Sequence, residues 1–243
     1  MIKRMFASAL FAGFAAGLIA AALQFVFVQP ILRQAELYES GELVHVAAAS
    51  PTHDQVVHAS TGPVNAAGQA TLATTQTPVD WSRTGLTVLF TALVYTGYAL
   101  VLVSAFALSE LRGEAISGRA GIIWGLAGFI VVHFAPAAGL PPELPGMSAG
   151  DLTGRHYWWA GTVATTAVGL WLLGFGKSAQ SWALGALLVL APHMIGAPHP
   201  DQMSGPVPPE LAALFVGRSL GVGMAVWVIL GSLAATIWRR QRV

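Results

Sequence analysis

Two stretches of this chain concentrate residues that bind metal ions. One runs from His133 through Pro136 and Pro141-Pro142-Glu143-Leu144 to Met147. The other carries Pro192-His193-Met194, His199-Pro200-Asp201, Met203 and Pro208-Pro209-Glu210-Leu211. Each starts with a histidine near the end of an apolar run and then breaks into a proline-rich loop. Imidazole nitrogen, carboxylate oxygen and thioether sulfur are three kinds of metal ligand, and cobalt and nickel accept mixed sets of them. The ligand set predicted from these residues is His133, His193 and His199, with Glu143 and Glu210 in support and Met147 and Met203 supplying sulfur. Each also has an ordinary structural use. A histidine in an apolar helix can bond a neighbouring carbonyl, Glu210 can favour the positive end of a helix dipole, and methionine fills apolar gaps. The four-letter repeat suggests two related halves around a shared site, a pattern seen in transporters.

Little else in the chain bears chemistry. Of its 243 residues 55% are hydrophobic and 9% charged, against about 25% charged in a soluble domain. Most of the chain therefore does not face water. A net charge of +1 leaves no broad basic face for nucleic acid. The absence of cysteine excludes disulfides, thiolate metal sites and protein-held iron–sulfur clusters. Gly176-Lys177-Ser178 resembles the end of a phosphate-binding loop, but Trp171 stands where that motif needs glycine. The chain thus has no nucleotide site, and no nucleophile–base arrangement suited to catalysis.

The elements that position these residues are apolar runs. Hydropathy predicts an all-α polytopic membrane protein forming a single domain, 1–243. Its six spans fall at about 5–28, 85–109, 120–140, 157–176, 181–197 and 211–238, with a long loop, 29–84, between the first and second. The first is long enough to be a retained helix rather than a cleaved signal, and Gly13 and Gly17, four apart, permit close helix contact. The 29–84 loop has a possible short helix at Arg33 to Glu42 and contains His45, His53 and His58, which could gather a cation or be ordinary loop residues. An even span count puts both termini on one side with Lys3, Arg4, Arg112, Arg119, Lys177, Arg239, Arg240 and Arg242, while Arg33, Arg83, Arg155 and Arg218 fall at or near the other. By the positive-inside rule both termini are cytoplasmic, and the histidines sit on or near the outer side. Arg218, within the sixth span, needs a partner; Glu210, two turns earlier on the same face, is the expected one. Tyr157-Trp158-Trp159 reads as an interfacial anchor.

The start Met1-Ile2-Lys3-Arg4-Met5-Phe6 before a small-residue helix, the Gln29-Pro30 exit, the His133-to-Met147 stretch and Ala197-Pro198-His199-Pro200 resemble the CbtA family of predicted cobalt transporter subunits. The resemblance covers the first helix and everything from the third helix onward. It implies a component of a bacterial inner-membrane cobalt(II) importer with no permanently bound cofactor, cobalt(II) being the transported ion. It also implies a partner, a small single-helix subunit with a histidine-rich segment of the CbtB kind. The family is described with about five helices, one fewer than the sequence predicts here.

The expectation is therefore an inner-membrane subunit that admits cobalt(II) from the outer face, not an enzyme. The same fold could serve as a membrane scaffold for a metal-handling partner, or carry nickel instead. A membrane enzyme using a metal-activated water is a third class that histidines and carboxylates near one interface would permit.

Overall fold

The computed structural model describes residues 2–43, 81–202 and 204–241, all helix, turn or loop with no strand among them. Helix α1 spans Ile2–Phe27 and continues after a one-residue break into α2, Gln29–Glu39. Pro30 suits the first turn of α2, where a missing N–H costs nothing. Helix α3 spans Trp81–Leu111. Helix α4, Gly118–Phe129, runs through a π-helical turn, Ile130–Phe134, into α5, Ala135–Gly139. Helix α6 spans Leu152–Phe175, α7 Ala179–Ile195 and α8 Pro209–Arg240.

Five of these units are long and apolar enough to cross a membrane: α1, α3, the continuous 118–139 helix, α6 and α8. The sequence predicted six. The run predicted as the fifth span, 181–197, forms α7, a shorter apolar helix of 17 residues. At 1.5 Å per residue it covers about 25 Å, and its length is at the lower limit of the roughly 17–25 residues that cross a hydrocarbon core. It ends at Ile195 because Gly196 takes φ +86°, a left-handed conformation that closes the helix. The short helix expected at Arg33 to Glu42 exists but begins earlier, at Gln29.

Small residues set the helix pairings. A Cβ on Gly13 would strike the Thr96 backbone, and one on Gly17 the Ala92 backbone, so α1 and α3 lie antiparallel and nearly backbone to backbone. The expectation of close contact at this glycine pair holds. Gly121 and Gly125 meet Gly231 and Trp227 in the same way, joining α4 to α8, and Gly169 meets Gly185 between α6 and α7. In lipid, close backbone approach and van der Waals contact replace the hydrophobic drive that packs soluble helices.

The helices alternate in direction. The start of α1, the end of α3 and the end of α8 meet where Arg4 bonds the Trp238 carbonyl and Glu110. Arg239 reaches Gly118, which opens α4, and Trp124 of α4 stacks near Trp171 and Phe175 at the end of α6. This is the terminal end of the bundle, and it carries Lys3, Arg4, Arg112, Arg119, Lys177, Arg239 and Arg240. The other end carries α5, the starts of α6 and α8, and both proline-rich loops.

Candidate metal site

Pro136 shapes the helix that carries His133. Proline has no N–H, and its ring clashes with the carbonyl four residues back, here that of Val132. The helix relieves that clash by widening. Ala135 N–H bonds Ile130 O, an i to i−5 bond, and the turn Ile130–Phe134 is π-helical. Such turns are uncommon and recur at functional sites. His133 sits in this widened turn.

The His133 ring is held among aromatic rings. Centroids of Tyr98, Phe129 and Trp227 lie 6.0, 6.1 and 6.1 Å from it. Its Nε2 is buried, with no hydrogen-bond partner among the described residues. An unpaired polar atom in hydrocarbon costs several kcal/mol. Satisfying it from a helix carbonyl, the ordinary structural use of a membrane histidine, does not happen here.

His133 lines a cavity of about 440 Å³ at the end of the bundle opposite the termini. Glu143 from the first proline-rich loop lines it too, as do Arg155, His156 and Trp159 from the start of α6 and Leu220 from α8. Arg155 Nη2 donates to Glu143 Oε2 at 2.7 Å. Asp151 caps α6, accepting from Gly154 N–H at 2.6 Å. It thereby fixes the turn that presents Arg155 and His156.

The two proline-rich loops fold against each other. Ser148 N–H donates to Ser204 O at 2.8 Å, and Ser148 Oγ bonds Gln202 O at 3.0 Å. Gly150 lies against Pro198 and His199, and Gly146 against Pro206.

Of the predicted ligands, the structure brings His133 and Glu143 to one cavity. His193, His199, Glu210 and Met147 do not line it. The His193 ring packs edge-on against Trp158, centroids 6.0 Å apart. Trp158 Nε1 donates to Pro192 O at 3.1 Å, so this indole bridges α6 to α7 rather than serving only as an interfacial anchor. His199 is exposed in the second loop, and Glu210 is exposed in the first turn of α8, where it favours the helix dipole. Met147 packs against the core, its sulfur beside Gly205. Met203, His45, His53 and His58 lie outside the described residues. Arg218 does not pair with Glu210 as expected; its Nη1 donates to Phe27 O, at the end of α1, at 3.2 Å. Among the described residues no three His, Asp or Glu side chains stand together as a metal-holding group.

His156 is the site residue that sequence reasoning missed. It lies 23 positions from His133, across a proline-rich loop, so no helical period links them. Its place in the first turn of α6, beside the Asp151 cap, was the available signal.

A family model described as "Probable cobalt transporter subunit (CbtA)" matches residues 2–239. No curated protein and no solved structure matches the chain.

Proposed function

The chain belongs to the CbtA family of probable cobalt transporter subunits, and from that premise we propose that it is the inner-membrane subunit of a cobalt(II) importer whose cargo enters through the cavity at His133. The observation that carries this reading is the buried, unpartnered Nε2 of His133. His133 also lines the cavity that Glu143 and His156 line. Imidazole nitrogen and carboxylate oxygen are suitable ligands for a divalent first-row ion. On this reading the cavity faces outward and both termini are cytoplasmic. Support comes from the basic residues at the terminal end, an asymmetry of the positive-inside kind.

His133 and His156 supply nitrogen and Glu143 oxygen. The aromatic rings around His133 keep its imidazole from turning away. Among the described residues these groups form no ready cluster, so on this reading they would have to draw together around the ion. The family description of a subunit supports a partner, which on this reading is a small single-helix protein with a histidine-rich segment. No nucleotide motif is present in the chain, so an ATP-driven step would lie with another protein.

The test is cobalt accumulation in an intact host carrying His133→Ala or His193→Ala, each at matched membrane abundance. Uptake is expected to fall at least tenfold for His133→Ala and to stay near the parent for His193→Ala. Parental uptake by His133→Ala would overturn the assignment. Cobalt uptake by the purified chain alone in liposomes would separate a transporting subunit from a scaffold.

A further inference from the structure

The cavity already contains a cation. The Arg155 guanidinium reaches into it and holds Glu143 at 2.7 Å, with the two side chains 22% and 31% exposed. We infer that Arg155 is a tethered stand-in for the cargo: it occupies Glu143 while the cavity is empty and gives it up when a divalent cation arrives beside His133 and His156. This rests on the reading of the cavity as the cobalt site and adds how that site is regulated.

Three observations support the exchange. First, the ligands are present but not assembled, since no three His, Asp or Glu among the described residues form a metal-holding group. Of the candidate ligands lining the cavity, Glu143 is the one paired with another residue there. Second, the guanidinium and carboxylate cancel, so the empty cavity has little net pull on a dication while they are joined. Third, the partners sit on separate pieces of chain. Glu143 is in the proline-rich loop and Arg155 is in the first turn of α6, so either can move without breaking a helix. The pair is partly exposed, and ion pairs of that kind are weak enough to exchange.

The exchange has a use. A transport site must bind well enough to load and loosely enough to unload. An internal cation competing for the same carboxylate lowers affinity without removing a ligand, and it re-pairs Glu143 as the ion leaves. No net charge is then left behind in the cavity.

The experiment is cobalt(II) binding to the purified full chain in detergent, followed by the visible absorption of bound cobalt(II). Arg155→Gln is expected to bind about fivefold more tightly, the size of one partly exposed ion pair, and Glu143→Gln more weakly than the parent. The double variant is expected to match Glu143→Gln alone, because Arg155 acts through Glu143. Unchanged or weaker binding by a folded Arg155→Gln would overturn the exchange, since it would make the pair a purely structural tie. Should Arg155→Gln fail to fold, Arg155→Lys, which carries a compact ammonium in place of the planar fork, is expected to bind cobalt(II) roughly twofold more tightly, and parental binding there overturns the proposal. His133→Ala separates the two levels. If it abolishes binding while Arg155→Gln is no tighter, the exchange fails and the cavity reading stands; if it binds as the parent does, the cavity reading itself fails.

Discussion

The two ends of the bundle treat their polar groups in opposite ways. At the terminal end every polar side chain of the central cluster is answered. Arg4 Nε donates to Trp238 O at 3.0 Å, Trp238 Nε1 donates to Glu110 Oε1 at 2.6 Å, and the Arg4 guanidinium lies 3.5 Å from the centroid of the Trp238 ring. Ser8, fully buried, bonds Gln241 at 3.3 Å. Helices α1, α3 and α8 are tied there by one closed network. At the cavity end, His133 has a buried nitrogen with no partner among the described residues, and Glu143 and Arg155 form a partly exposed pair. Polar groups that satisfy one another stabilise a fold. Polar groups left unfinished around a cavity are available to something else, and they are kept in place at a cost to stability.

That contrast yields four measurements. The largest effect belongs to the terminal end. Trp238→Ala empties a fully buried position and leaves Glu110 without its indole donor. It is expected to lower stability by roughly 3 kcal/mol, read from denaturant unfolding in detergent, while cobalt affinity of the folded fraction stays put. A change in that affinity would mean the ends are coupled. Next, Gly125→Leu forces a side chain into the Trp227 backbone; a loss of about 1–3 kcal/mol is expected by the same assay. Third, His133→Phe removes the unpaired nitrogen and keeps the ring packing. Stability is expected to hold or rise slightly, while cobalt accumulation falls at least tenfold. A large loss of stability there would put His133 in the same structural class as Trp238. The smallest effect is expected from Trp158→Phe. It deletes the bond to Pro192 O, for a cost of about 1 kcal/mol and parental uptake.

The helices could be read from the sequence because charge is so scarce. An apolar run of more than 20 residues between polar loops has few alternatives. The run 181–197 forms a helix shorter than its apolar stretch for a local reason: the chain stays apolar past Ile195, but Gly196 has already left the helix. His133 stood out as a lone polar residue in an apolar stretch, and Pro136 announced a disturbed helix. The form of that disturbance, a π-turn, was not legible, since a proline can equally kink or end a helix. His193 and His133 look alike in sequence because each lies close to a proline at the end of an apolar run, but their neighbours differ. Trp158 covers one, and the other opens on a cavity. The pairing of Glu143 with Arg155 and the approach of His156 arise from how a loop folds back onto α6, which no short-range pattern encodes.

One wall of the cavity belongs to the least anchored part of the molecule. Helix α7 packs principally against α6, and α6 meets the rest of the bundle mainly through the π-turn and α5. Arg155, His156 and Trp159 ride on α6, whereas His133 belongs to the helix clamped by glycines to α8. The hairpin is therefore a door leaf hung on the widened turn, and a few degrees of swing would alter the reach between His156 and His133 without disturbing the glycine-packed frame.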